Sequence, residues 1–378
     1  MRNTYGNRAI APVFRSMSGK GAKIHKEREK RVCIFDFLLA QVSVDEYRQL
    51  FRSSLKIFFD IEVIMIIENN FNILVDVNNN YNLHVREFFD DECLDIDKRP
   101  LILIHGATIA SELWVNDHKD VSWCHQLAEK GFRVFTYDSL GFRMSRVENY
   151  DHLSISDTRV SNTSVFLANI ISYVQNRTGK RTVDVISCSW GTVVLTKYFS
   201  LFKQDKINKA VFFAPIYNDS NAGIYWKSKY DAIPESGGCK IGYVFVEKKN
   251  FIKRWDEEIP FNKKTTLRKE KVLDSVIKNT LKSSISIGES FIVPTGPLAD
   301  LYDIFSGEKV HNPAAINIPS LVIRAEHDLT STYSSSINFY NEIGSEDKKY
   351  LSIPSGSHFA ILEKKFSLIF SEVVQFLK

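Results

Sequence analysis

From residue 100 onward, short unbroken apolar runs alternate with stretches whose apolar residues recur every three or four positions. The runs are Leu101–Ile104, Arg133–Tyr137, Val183–Ile186, Lys209–Phe213, Ser320–Ile323 and Tyr350–Ile353. A strand covered by helices on both faces reads as a continuous apolar run, so these predict a mainly parallel sheet. Between them the spacing predicts helices near Trp123–Lys130, Ser156–Arg177, Gly191–Phe202, Ser334–Ile343 and Lys365–Leu377. Repeated strand–helix units specify an α/β fold with helices on both faces of the sheet.

Upstream, the pattern changes. Phe71–Val77 and Tyr81–Phe89 flank the turn Asn78-Asn79-Asn80, and Leu83 and Val85 alternate with His84 and Arg86, as in a half-buried antiparallel pair. Residues 43–59 have helical spacing (Tyr47, Leu50, Phe51, Leu55, Phe58), with Ser43 as cap. Residues 1–31 show no periodicity and read as a basic, mobile tail. About a hundred residues separate Pro215 from Pro319, too many for one crossover, so a mostly helical cap is expected over the C-terminal edge of the sheet. The expected division is a tail (1–31), an N-terminal helical segment (32–70), the first part of the core (71–216), a cap insertion (217–312) and the second part of the core (313–378).

Charge and cysteine content narrow the class. In 378 residues, 49 Lys and Arg oppose 45 Asp and Glu, which argues against a dedicated nucleic-acid binder. The excess sits at the front: nine Lys and Arg against Glu27 and Glu29 within residues 1–31. Residues 1–26, which hold no acidic residue, resemble an organellar transit peptide in composition, and the start of the chain lacks the apolar stretch of a secretory signal. With the amphipathic stretch after it, residues 1–60 could also touch a membrane surface. Five widely spaced cysteines without a C-x-x-C pair point to a reducing compartment and away from zinc knuckles. The expected location is the cytoplasm, with organellar import or peripheral membrane attachment as alternatives.

The chemistry concentrates at Val183-Asp184-Val185-Ile186-Ser187-Cys188-Ser189-Trp190-Gly191-Thr192, an apolar strand running through small residues into a helix. That context suits a nucleophile on a sharp turn, with Ser189 above the sheet and the N–H of Trp190 at the helix start. Here the sequence resembles the α/β-hydrolase family, whose G-x-S-x-G motif reads Ser187-Cys188-Ser189-Trp190-Gly191, with serine for the first glycine. The strand leading into His105-Gly106-Ala107-Thr108 resembles the family's oxyanion loop, which implies the N–H of Ala107 as second donor. Asp138-Ser139-Leu140-Gly141-Phe142-Arg143-Met144-Ser145 resembles the loop after the next strand, with Arg143 for its second glycine, and reads as loop structure. Asp328 follows the strand Ser320–Ile323, and His358 follows the strand ending at Ile353, so Ser189, Asp328 and His358 occur in the family's order. The resemblance covers roughly residues 71–378, with the cap unmatched.

The resemblance implies a serine hydrolase: Ser189 attacks, His358 moves the proton, Asp328 orients the imidazole, and no cofactor or metal takes part. The expected substrate is a small-molecule carboxylic ester or thioester, with lipid or carrier-linked acyl groups included. Alternatives are an acyltransferase or iminopeptidase-like amide hydrolase with the same triad, and a non-catalytic ligand-binding protein on the same fold. Cys188 competes as nucleophile, but Gly191 lies three after it rather than two. Glu326 competes with Asp328 as the acid, His327 suits a pocket wall, and His105 suits a structural hydrogen bond. His25, His84, His118, His125, His152 and His311 lack metal-ligand spacing and read as surface or satisfied residues. Tyr217, Tyr225, Trp226, Tyr230 and Trp255 read as cap core or an acyl pocket. The basic stretch Lys263, Lys264, Arg268, Lys269 and Lys271 reads as a solvated helix face able to attract an anionic substrate.

Overall fold

The apolar runs form the strands expected of them. The computed structural model of the protein describes residues 9–14, 63–218, 242–260 and 264–378. The chain divides into a larger unit, residues 68–378, and a smaller one, residues 9–67. In the smaller unit the described residues are strand β1 (Ala9–Phe14) and the start of β2 (Val63–Asp76). A strand at 9–14 departs from the tail expected over 1–31; Ala9, Ala11 and Pro12 weaken its apolar signal. The rest of that tail and the helix expected at 43–59 lie outside the described residues.

Strands β3 (Tyr81–Phe89), β4 (Leu101–Ile104), β5 (Val134–Tyr137), β6 (Val183–Cys188), β7 (Ile207–Phe213), β11 (Ser320–Ala325) and β12 (Lys348–Ile353) join β2 in one sheet. In the larger unit its order is β2-β3-β5-β4-β6-β7-β11-β12. β3 lies between β2, its expected neighbour across the turn 78–80, and β5, to which it is antiparallel with Val85 opposite Tyr137. The ladders β5/β4, β4/β6, β6/β7, β7/β11 and β11/β12 are parallel. β4, β5 and β6 are buried along their whole length, which explains their unbroken apolar reading.

Helices α1 (Trp123–Glu129), α2 (Ile155–Thr158), α3 (Val160–Thr178) and α4 (Trp190–Leu201) connect the strands. The single helix expected over 156–177 is split at Arg159, whose extended backbone separates α2 from α3. Between β7 and β11 the described residues form β8 (Tyr243–Glu247), α5 (Lys248–Glu257), α6 (Lys264–Leu267), α7 (Glu270–Ser283), β9 (Ser286–Ile287), β10 (Ser290–Pro294) and α8 (Gly296–Phe305). This insertion, expected to be mostly helical, also contains a three-stranded antiparallel sheet, β8-β10-β9. Ser290–Pro294 is too short, and too close to the next helix, to stand out by periodicity. Helices α9 (Tyr333–Glu342) and α10 (Phe366–Leu377) complete the larger unit.

Two glycines let the insertion meet the core closely. A Cβ on Gly242 would lie 1.9 Å from the carbonyl oxygen of Leu153, and one on Gly296 would lie 2.4 Å from Thr158 backbone. In the same region Asp300 of α8 accepts hydrogen bonds from Arg159 Nε (2.9 Å), the N–H of Val160 (2.8 Å) and the indole of Trp190 (3.0 Å). Burial dominates over the nearby Arg159 and holds the Asp300 carboxyl up at about 6.

Candidate active site

β6 delivers Ser189 at its C-terminal end, and α4 begins at the next residue. Ser189 has φ 54° and ψ −125°, a strained conformation for a residue with a Cβ. Its backbone is held from both sides: its N–H donates to the carbonyl of Phe213 at 2.9 Å, and its carbonyl accepts from the Thr192 hydroxyl at 2.6 Å. Gly191 explains the small residue two positions on. A Cβ there would lie 2.6 Å from the His105 carbonyl oxygen and 2.8 Å from that of Ile104. Ser187, where the family pattern has glycine, is fully buried and donates to the Val211 carbonyl at 3.0 Å, so its hydroxyl is satisfied.

The loop after β11 carries Asp328, and the loop after β12 carries His358. His358 Nε2 lies 2.9 Å from Ser189 Oγ. Its Nδ1 faces both oxygens of Asp328, at 2.9 and 3.0 Å. A carboxylate on Nδ1 keeps the proton on that nitrogen and leaves Nε2 free to accept from the serine hydroxyl. Asp328 is 1% exposed, and its Oδ1 accepts the N–H groups of Thr330 (2.9 Å) and Ser331 (2.6 Å). The structure therefore joins Ser189, His358 and Asp328 in one hydrogen-bonded chain across 169 residues of sequence.

The other candidates separate from this chain. Glu326 is half exposed and accepts the N–H of Ser355 at 2.8 Å, away from the imidazole. Cys188 is buried, which pushes its thiol well above the usual range, so thiolate chemistry is disfavoured. His327 has its backbone tied to Gly356 and its ring near Glu326. His105 is fully buried and bridges two loops: its Nδ1 donates to the Gly106 carbonyl at 2.7 Å, and its Nε2 accepts the N–H of Ser139 at 3.0 Å. Burial holds its pKa below the usual histidine value, consistent with a neutral structural ring.

The loop after β4 runs against the serine. A Cβ on Gly106 would lie 3.2 Å from Ser189 Cβ and 3.6 Å from its Oγ, which places Ala107 beside the nucleophile. Trp190 is the first residue of α4, where a helix leaves its leading N–H groups without intrahelical partners. Arg143, with φ 43°, pairs with Glu112 and with Asp138 (3.3 Å), and Asp138 also accepts the N–H of Ser111 at 3.1 Å. That loop is a buried ionic clamp, in keeping with a structural reading.

The histidines outside the site are surface residues or have partners. His84 contacts Asp138 at 3.3 Å, His118 the Lys271 carbonyl at 3.0 Å, His125 the Ser122 hydroxyl at 2.7 Å and His311 the Ile216 carbonyl at 2.9 Å. His152 is exposed, and His25 lies outside the described residues. Tyr217 and Trp255 are buried as core, while Tyr225, Trp226 and Tyr230 lie outside the described residues. Within the basic stretch Lys271 is exposed, as expected of a solvated face, and Arg268 departs from it. Arg268 is 6% exposed and bridges Asp256 (2.5 Å) and Glu270 (2.8 Å), and Lys269 pairs with Asp120 at 2.9 Å. Lys263 is outside the described residues.

Sequence reading missed the acids behind the site. Glu363 accepts from the Trp255 indole (2.9 Å) and from the Ser357 N–H (3.1 Å) and hydroxyl (2.5 Å), next to His358. Trp255 stacks on Phe359 with ring centroids 4.5 Å apart. Glu258, just past α5, is buried against the Asp328 loop. One signal was available: Asp256-Glu257-Glu258 crowds acids at a helix C-terminus, where the dipole favours bases.

Comparison with known proteins agrees with this architecture. Residues 99–238 match the family model described as alpha/beta hydrolase fold. Over 143 residues the chain is 29% identical to a Synechocystis protein described as a non-heme chloroperoxidase, covering 36% of this chain and 45% of that protein. A bromoperoxidase from Bacillus anthracis superimposes with a TM-score of 0.56 at 18% identity, over 82% of this chain and 99% of that one. A thermophilic esterase from Thermogutta terrifontis gives 0.54 at 14% identity (82% and 97%), and a 2-hydroxy-6-oxo-6-phenylhexa-2,4-dienoate hydrolase from Rhodococcus gives 0.54 at 14% (83% and 99%). The chain has the α/β-hydrolase fold.

Proposed function

We propose that the protein is a serine hydrolase that cleaves a carboxylic ester or thioester through an acyl-enzyme. The observation that carries this reading is the 2.9 Å contact between Ser189 Oγ and His358 Nε2, with Asp328 on the opposite ring nitrogen. A serine hydroxyl is a poor nucleophile near neutral pH unless a base takes its proton as it attacks. His358 takes that proton; Asp328 holds the tautomer and stabilises the imidazolium. The carbonyl oxygen gains negative charge, and the N–H groups of Ala107 and Trp190 receive it. His358 then protonates the leaving alcohol or thiol, and water repeats the sequence on the acyl-serine to release the acid. The insertion, packed on the loops that carry Asp328 and His358, selects the acyl group.

The test is a panel of p-nitrophenyl acyl esters and acyl thioesters, together with a fluorophosphonate probe. Because the Synechocystis relative is described as a chloroperoxidase, halide peroxidation is assayed alongside. The wild type labels at one serine, and Ser189→Ala loses the label along with on the order of 10³-fold or more of the ester turnover. Labelling that survives in Ser189→Ala removes Ser189 from the mechanism.

A further inference from the structure

Glu258 is 2% exposed, and both of its oxygens are engaged by the loop that carries Asp328. Oε2 accepts the N–H of Leu329 at 2.8 Å, and Oε1 accepts the hydroxyl of Thr330 at 2.7 Å. The next two N–H groups, of Thr330 and Ser331, go to Asp328 itself. The turn 328–331 is thus bound on one side by the acid that faces His358 and on the other by an acid from the insertion. Arg254 of α5 adds a contact to Thr330 Oγ1 at 3.2 Å.

A buried carboxyl is expensive, and a Leu or Met of similar size would fill the same volume without that penalty. Glu258 also sits at a helix C-terminus, which the dipole disfavours for an acid. What offsets these terms is the pair of hydrogen bonds to the Asp328 turn.

We propose that Glu258 is a positioning residue of the Ser189–His358–Asp328 chain: a second carboxyl, supplied by the insertion, that fixes the Asp328 turn and sets how readily His358 takes a proton. The inference rests on the hydrolase reading above. The charged groups around Glu258 are Asp328 and His358 from the core loops and Arg254 from its own helix. Behind the turn, Arg324 of β11 donates to the carbonyls of Asp328 (3.1 Å) and Ser331 (2.8 Å). Burial, then the charge of Asp328, push the Glu258 carboxyl above its usual range; the imidazolium of His358 and Arg254 pull it back. The coupling is reciprocal, so an ionised Glu258 favours the imidazolium that forms as Ser189 attacks.

The experiment compares wild type, Glu258→Ala and Glu258→Gln for the rate of fluorophosphonate labelling and for kcat/KM against pH on the best ester of the panel. Glu258→Ala is expected to label roughly 10-fold or more slowly, with the loss in kcat rather than KM. Glu258→Gln keeps the volume and one acceptor oxygen. It recovers much of that rate, but its acid limb moves about half a pH unit or more to lower pH, because the negative charge is gone. If Glu258→Ala does not fold, the acid limb of Glu258→Gln decides alone. Folded variants with the wild-type labelling rate and pH profile overturn the proposal. A wild-type chain that neither labels nor hydrolyses any ester removes the hydrolase reading, and this inference with it.

Discussion

Adding one methyl group at Gly191 tests how tightly the elbow and the oxyanion loop are locked together. In Gly191→Ala the new Cβ meets the His105 carbonyl oxygen at 2.6 Å, where ordinary contact begins near 3.4 Å. Relief requires about 0.8 Å of movement. The obstacle is backbone: Ile104 pairs with Ser187 in the β4/β6 ladder, and His105 is pinned through its ring to Gly106 and Ser139. Overpacking against so stiff a neighbour costs about 1–3 kcal/mol, a fall in Tm of a few to about 10 °C. The displaced segment continues into Gly106 and Ala107, so the N–H of Ala107, the second oxyanion donor in the proposed mechanism, shifts by a similar distance. A shift near 1 Å in such a donor is worth on the order of 10²-fold in kcat/KM. Thermal melts and steady-state hydrolysis of the best ester measure both effects. A Gly191→Ala variant with wild-type Tm and turnover would refute the claimed closeness of the two loops.

The two acids at the end of β11 should separate cleanly. Asp328→Asn is expected to reduce kcat roughly 10⁴-fold by allowing the wrong imidazole tautomer, while Glu326→Gln stays within about twofold; equal losses in the two variants would reassign the acid. Asp300 gives a stability test. Its carboxyl rises from 3.8 to about 6 on folding, so the native state binds its proton more tightly than the unfolded chain. That contribution is fully present below pH 3.8 and is lost as pH rises through about 6, a swing of about 3 kcal/mol. The stability of wild type relative to Asp300→Asn therefore grows on going from pH 7 to pH 4, measured by urea unfolding; a difference constant with pH contradicts the burial argument.

The central parallel strands β4, β5, β6 and β11 were legible because burial along their whole length leaves an unbroken apolar mark, and β4 runs over the residues the pattern marks. Ser189 and His358 were legible for a local reason as well: each follows a strand through small residues, and that context survives in one dimension. Glu258, Glu363 and Asp300 were not, because their meaning lies in partners 71, 6 and 110 residues away, which no periodicity records. The inward turn of Arg268 escaped for a different reason: its partners Asp256 and Glu270 are near it in sequence, and only packing against Trp255, 5.8 Å away, shows that the guanidinium is buried.

The pairing of β7 with β11, Phe213 opposite Ile323, has a consequence for the order in which the protein comes together. Between those partners the chain makes its excursion through the whole insertion, so this ladder closes a very long loop and is entropically disfavoured until much of the rest is in place. The serine can stand on its bend early, but it meets no base until that closure brings the final strands alongside. Reactivity toward a phosphonate during refolding is therefore a clock: it stays silent while secondary structure accumulates and starts only when residues 320–378 have docked.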